Sequence, residues 1–341
     1  MVLFFNRVRL RYRTGAPILF AVAALLAGCA GAGQASPGSA DGIGPASNVR
    51  SGTAAVMPRL QTIPAAYPAL SADTASTLYA SDSLANTVTE YDTSTGAVIR
   101  TLGGGSSGHL YYPEGMFVSK GALYVADYGG SGNAVLIFKS GATLPSKTLL
   151  EGSGFDPTDV AVGTDGTVYV SNYEITYSAS GNVEVFAKGH TTAKYSIPFP
   201  GNNDPVLSLA LDSSNNLYVG WRNSKGAGEI SEYAPGSTKG VSTGFVVGVP
   251  NGMTFDKSGD LVVVDNNVVD VFQAGTVKPI RQFGSLTQGG FAAFTKSGTY
   301  LYVADTGANE VDEFHYSTGK LLTTIPLSDA AGVALSPPEA L

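Results

Sequence analysis

One short phrase recurs six times along this chain: Leu78-Tyr79-Ala80-Ser81-Asp82, Leu123-Tyr124-Val125-Ala126-Asp127, Val168-Tyr169-Val170-Ser171-Asn172, Leu217-Tyr218-Val219-Gly220-Trp221, Leu261-Val262-Val263-Val264-Asp265 and Leu301-Tyr302-Val303-Ala304-Asp305. The first residues of successive copies lie 45, 45, 49, 44 and 40 positions apart. A nearly fixed period of this size marks an array of one supersecondary unit. Each unit is too small to bury its own apolar face, so the copies must pack on one another.

Within each period the order of segments is constant. An apolar opener such as Gly252-Met253-Thr254-Phe255 precedes a polar turn, then the recurring phrase, then a loop rich in Gly and Asn. A third alternating segment follows (Glu310 to Phe314), then a Ser-Thr-Gly or Ala-Pro-Gly turn, then a fourth (Lys320 to Ile325). Alternating β-branched and aromatic residues between Gly, Asn and Asp turns signal strands and hairpins. No long stretch after residue 75 has apolar spacing of 3.6, so helices should be scarce. Four strands per period and six periods predict an all-β fold, a six-bladed β-propeller with four-stranded blades. The first copy lacks an opener, while Ala330 to Pro338 reads like one. The C-terminal strand is therefore expected to complete the first blade, so that head and tail share a sheet.

The repeats resemble NHL repeats, most closely from Leu301 to Val311, more loosely from Leu123 to Val135, and overall across about residues 77–341. The resemblance implies the propeller fold and says little about activity, because one scaffold hosts unrelated functions. The Asp that closes the second strand (Asp82, Asp127, Asp265, Asp305) could form a row of ligands. A short acceptor there is also suited to the N–H groups of the following loop, a role that Asn86, Asn133 and Asn309 would share.

Arg7, Arg9, Arg11 and Arg13 precede an apolar run from Ala16 to Leu26. That run is short beside the roughly 20 residues of a spanning helix and has the layout of a secretory signal. It ends in Leu26-Ala27-Gly28-Cys29, which resembles the bacterial lipoprotein signal. The resemblance implies cleavage before Cys29 and acylation of that residue; an uncleaved membrane anchor and a lone buried thiol are the competing readings. Cys29 is the single cysteine, which excludes an internal disulfide. Residues 1–28 thus read as a signal peptide, 29–75 as a flexible Ala/Gly/Ser/Pro tether, and 76–341 as the propeller. The expected location is extracytoplasmic, lipid-anchored to a bacterial membrane; if there are two membranes, Ala30 after the cysteine favours the outer one.

The formal charge is −7, and removing the signal removes four arginines and no acid, leaving −11. Bases are scattered singly along the sequence, which argues against nucleic acid. Contact with the membrane is expected through the lipid anchor only, and the protein is expected to be a monomer.

In a propeller the residues that open each innermost strand rim one mouth of the central channel. The equivalent slots hold Glu114, Thr158, Val206 or Leu207, Asn251, Gly290 and Ala331, with Asp156, Asp159 and Asp204 nearby. Glu114, Thr158, Asp204 and Asn251 form a candidate channel-mouth pocket. The Glu-Gly and Pro-Asn-Gly openers resemble those of the senescence-marker/gluconolactonase family, whose sugar lactonases hold a divalent ion through Glu, two Asn and Asp. Only Glu114 and Asn251 match that set. The alternative to a site is that both cap strand ends. Calcium or another divalent ion would be the cofactor of the lactonase reading, and none is expected otherwise. His109, His190 and His315 are too scattered for a transition-metal site or a base–nucleophile pair. Gly103 to Gly108 has no helix after it to present N–H groups to a phosphate and reads as an interblade loop. Loops that vary between blades are the natural recognition elements. They single out Tyr173, Tyr177, Trp221 and Arg222, unless Trp221 packs between blades. The overall expectation is a binding or scaffolding module for a protein or a cell-envelope glycan, with a divergent lactonase-like hydrolase as the alternative.

Overall fold

The computed structural model describes residues 76–336 apart from 105–108, 130–132, 151–154, 175–180 and 200–204. Cys29, Tyr177, Asp204 and the segments expected to be signal peptide (1–28) and tether (29–75) lie outside the described residues. Among those described there are 24 strands and no helix. The strands form six four-stranded antiparallel sheets. Five are consecutive runs: β4 (Pro113–Ser119) to β7 (Lys147–Leu150), β8 (Phe155–Val162) to β11 (Tyr195–Pro198), β12 (Val206–Leu211) to β15 (Val241–Ser242), β16 (Pro250–Phe255) to β19 (Arg281–Phe283), and β20 (Gly289–Phe294) to β23 (Lys320–Pro326). The sixth joins the ends of the chain, in the order β24 (Ala330–Ser336), β1 (Thr77–Asp82), β2 (Thr87–Asp92), β3 (Val98–Gly103).

The closing register is Thr77 opposite Ser336, Leu78 opposite Leu335 and Ala80 opposite Val333. Blade 1 therefore takes its innermost strand from the tail, as the missing first opener predicted. Each innermost strand packs on those of both neighbours, in the cycle β24, β4, β8, β12, β16, β20 and back to β24. The fold is a closed six-bladed β-propeller.

Six hydrophobic clusters hold the ring, one at each interface between blades. The period-2 geometry of a strand explains this, since alternate side chains leave opposite faces of the sheet. Leu78 and Ala80 enter the cluster shared with blade 6, while Tyr79 and Val88 enter the one shared with blade 2. On β17 (Leu261–Asp265), Leu261 and Val263 face blade 4, and Val262 and Val264 face blade 6. The recurring apolar phrase is doubly apolar because every blade is covered on both faces.

Each innermost strand carries a register shift against its partner, most of them at its opening, for example between Pro250 and Gly252 and between Val206 and Ser208. Bulges of this kind bend the strand and re-aim its first residues. Here the residues that line the channel, such as Met116, Leu209, Met253 and Val333, follow the bulges. The inner strands approach closely there: a Cβ at Gly332 would strike the Glu114 carbonyl oxygen, and one at Gly252 the Gly290 carbonyl oxygen.

Candidate functional site

The channel is lined by all six innermost strands, with Asp159 the one charged side chain on its wall among the described residues. At the bulged openings, each blade donates at least one side-chain hydrogen bond to a main-chain carbonyl of the next. Ser81 Oγ donates to Glu114 O (2.9 Å), Asn133 Nδ2 to Phe155 O, and Thr158 Oγ1 to Val206 O (3.2 Å). Ser208 Oγ donates to Pro250 O (2.7 Å), Asn251 Nδ2 to Gly289 O (2.9 Å), and Thr306 Oγ1 to Ala330 O (2.7 Å). The six bonds run once around the mouth and return to blade 1. A bulge leaves carbonyls without a ladder partner, and a carbonyl out of water needs one.

Two expected pocket residues are members of this belt. Thr158 also meets Ser171 Oγ at 2.8 Å, and Asn251 is buried. Their polar atoms serve the joints between blades. Glu114 is half-buried at the opening of blade 2.

Asp159 is buried and accepts from the N–H groups of Val160 and Leu209, each at 2.8 Å. Burial pushes its carboxyl up to about 8 despite those two N–H groups, and the Glu114 charge adds to the rise.

The residues present do not fit the divalent ion of the lactonase resemblance. Asn251 spends its amide on Gly289, both Asp159 oxygens take main-chain N–H groups, and Leu207, Gly290 and Ala331 bring no side-chain oxygen. Calcium asks for six or more oxygens. Among the described residues no three His, Cys, Asp or Glu side chains gather into a metal-binding group.

The second-strand aspartates have a different role from the one expected. They chiefly grip the chain that enters their own blade, and the loop that follows them is secondary. Asp127 accepts from the N–H groups of Tyr111 (2.9 Å) and Tyr112 (2.7 Å), and Asp305 from Thr287 (2.7 Å) and Gln288 (2.9 Å). Asp265 takes Gly248 and Val249 (2.6 Å), and Asp82 takes Ser328 (2.7 Å). Asp82 and Asp305 also reach forward, to the N–H groups of Ala85 and Ala308. Burial raises Asp127 to about 7 against the pull of its two N–H donors. These carboxylates are fully engaged and do not form a row of ligands.

Trp221 is 7% exposed and belongs to the cluster between blades 3 and 4, so it is not part of a recognition surface. Its ring lies 5.5 Å from Phe199, and its indole N–H donates to Ser231 Oγ at 3.2 Å. Arg222 is half-buried, with its main-chain N–H on Pro205 O. Tyr173 is half-buried in β9 (Val168–Glu174), opposite Asp156. His109 and His190 are exposed and His315 half-buried, on three different blades or their entries.

The mouth face does present one apolar rim that the sequence reading did not select. Leu84 is 58% exposed and Tyr111 is 50% exposed, at the junction of blades 1 and 2. The loops carrying them are joined by Ser83 Oγ donating to Pro113 O at 2.7 Å. Asp127 fixes the Tyr111 main chain, while Tyr112 turns inward, packs on Tyr128 at 4.8 Å and donates to Asp329 at 3.1 Å. The available signal was the pair Tyr111-Tyr112 directly ahead of an opener.

No protein-family model matches the chain, and no curated protein matches it. Among solved structures it is similar to a chain of the nidogen/laminin complex, at 17% identity and a TM-score of 0.62, over 78% of this chain and 100% of that one. It is also similar to a protein of unknown function from Bacteroides caccae, at 11% identity and a TM-score of 0.60, over 77% and 99% of the two chains. A third likeness is to virginiamycin B lyase from Staphylococcus aureus, at 12% identity and a TM-score of 0.52, over 74% and 83%. At such identities the likeness establishes the β-propeller fold and leaves activity open.

Proposed function

We propose that this chain is a lipid-anchored, extracytoplasmic propeller of the NHL type that binds a protein or cell-envelope ligand on its channel-mouth face. The observation that carries this reading is the rim at Leu84 and Tyr111. A large aromatic side chain stands half in solvent on a main chain that a buried carboxylate holds from beneath. A rigid aromatic presented in this way loses little conformational freedom on binding, which is the character of an interface anchor. The polar groups around the mouth join the blades to one another, which suits a stiff platform. The lipoprotein-like segment ending at Cys29 supports the location.

The test is capture from solubilised envelope by the immobilised mature chain. Tyr111→Ala combined with Leu84→Ser should lower capture at least roughly 30-fold, the effect of losing an anchor of ~2 kcal/mol, and leave the melting temperature unchanged. Capture that survives both substitutions contradicts the proposed face. Separately, Cys29→Ala should move the protein from the membrane fraction to the soluble one; unchanged fractionation contradicts the anchor.

A further inference from the structure

Antiparallel blades put their turns on two faces. Connections from the second to the third strand share the mouth face with the openings. Connections from the third to the fourth strand lie on the opposite face, around its outer edge. The two sets differ in charge. None of the six third-to-fourth connections contains an acid. Lys188, Lys194, Lys239 and Lys278 lie within them, and Lys139 and Lys320 flank them directly. The single flanking acid, Asp92, is engaged by the N–H groups of Ser94 and Thr95. On the mouth face the second-to-third connections hold one base, Lys225, and the strand ends there carry Asp82, Asp127, Asp265 and Asp305. A chain of formal charge −7 thus collects unneutralised bases on one rim. The six lysines are exposed, and none takes part in an ion pair among the described residues, where the only pair is Arg100 with Glu90. The first-to-second turns, nearer the axis, mix both signs, with Lys257 between Asp256 and Asp260.

The same rim carries exposed aliphatics. Leu144, Val241, Val277 and Ile280 are each more than half exposed. The segments holding Val241 and Val277 are stitched together by Val246 N–H donating to Val277 O at 2.8 Å. Phe245 between them points inward and stacks on Phe272 at 4.6 Å, so the exposed valines stand on a packed base. Exposed aliphatics interleaved with lysines, with no acid among them, match the boundary between headgroups and acyl chains of an anionic bilayer. The chain also enters from this side. Thr77, where the first described strand starts, pairs with Ser336 and with Asp92, on the face of the third-to-fourth turns.

We infer that the rim of third-to-fourth turns docks the propeller directly on an anionic lipid bilayer, lysines among the phosphates and aliphatics at the headgroup boundary, with the channel mouth facing away. The inference rests on the extracytoplasmic, membrane-proximal reading for its setting but not on acylation. It adds a protein–lipid contact to the anchor and sets the orientation in which the Tyr111 rim meets its ligand.

The test uses the mature chain from residue 29 with Cys29→Ser, which cannot be acylated. It is mixed with vesicles of phosphatidylcholine or of an equimolar mixture of phosphatidylcholine and phosphatidylglycerol, and co-sedimentation is measured. The chain should sediment with the anionic vesicles only, and added salt should release it. Each base near such a surface contributes roughly fivefold in partitioning. The triple variant K188E/K239E/K278E should therefore lose at least about a hundredfold, and V277S/I280S should lose affinity without losing the charge preference. Lys225→Glu, on the mouth face, should change nothing. If the triple reversal fails to melt cooperatively, the corresponding Lys→Gln variant is used and should lose a smaller factor in the same direction. Equal sedimentation with neutral vesicles, no sedimentation with either, or equal retention by double-stranded DNA would overturn the inference. Acylation is read separately, from the mass of the wild-type N-terminal peptide, so failure of the anchor and failure of the docking rim are distinguishable.

Discussion

Blade 5 ends its second strand with Asp265, whose carboxylate takes the N–H groups of Gly248 and Val249 as the chain enters. Blade 4 has Trp221 at the same station, opposite Val206 as Asp265 is opposite Pro250. The entering residues explain the exchange. Ahead of Val206 stand Asp204 and Pro205: one is an acid and the other has no N–H. A carboxylate at residue 221 would find one donor missing, at Pro205. The indole fills the joint instead, against Phe199 and Tyr233. Blade 3 sits between the two cases, with Asp156 ahead of Pro157 and the uncharged Asn172 at the station. Outside blade 3 the repeat therefore closes its blades in two ways, by a carboxylate on the entering N–H groups or by apolar filling, and the entering dipeptide decides which.

The largest way to break that comparison is to remove what both closures depend on, the ring. A chain ending at Asp329 lacks β24, which pairs with β1 and carries Val333 and Leu335 into the cluster between blades 6 and 1. It should show no cooperative melting transition in calorimetry. Next in size, Trp221→Ala should cost about 3–5 kcal/mol in denaturant unfolding, the range for emptying a large buried aromatic site. Trp221→Asp should be no better, because blade 4 has no pair of donors for it. Asp265→Ala leaves two main-chain N–H groups without their acceptor and should cost about 2 kcal/mol, less where water reaches Gly248. If Asp265→Ala proves costlier than Trp221→Ala, the two closures are ranked wrongly.

A smaller effect concerns pH. The Asp159 carboxyl is raised in the folded state to about 8 from 3.8. A group raised on folding contributes its stability fully below its unfolded value and loses it as pH climbs through the folded value. Melting temperature should therefore fall between about pH 4 and pH 8, and Asp159→Asn should flatten that slope. Smallest of all, calcium should leave the melting temperature unmoved. A ligand of the native state at a hundred times its Kd would add about 2.7 kcal/mol, and such a shift, lost in Glu114→Gln, would restore the lactonase reading.

The ring itself was legible because its determinants are periodic. Apolar residues recur with the strand period and the phrase recurs with the blade period, so local pattern and global fold agree. Even the tail strand could be read, from a missing opener at one end and a spare one at the other. The belt around the mouth was not legible. Its donors come from different stations, Ser81 and Ser208 on strands one place apart in their blades, Asn133 and Thr306 in loops, and share no motif. What unites them is a carbonyl exposed by a bulge in the next blade, which is a long-range property. Trp221 misled for a related reason. An aromatic in place of a repeated acid looks like a gain of surface chemistry, while the proline that makes the acid useless lies 16 residues earlier, at Pro205.

Closure of the circle by its own tail can be tested through one cross-strand pair. Ala80 and Val333 are register partners that face the same cluster between blades 6 and 1. Opposed residues in such a ladder lie within disulfide reach. In a Cys29→Ser background, the double variant A80C/V333C refolded in air should form one intramolecular disulfide, found by mass as a peptide joining the first and last strands, and should melt higher when oxidised than when reduced. Free thiols in the folded chain, or a disulfide between two chains, would contradict a ring fastened at this seam.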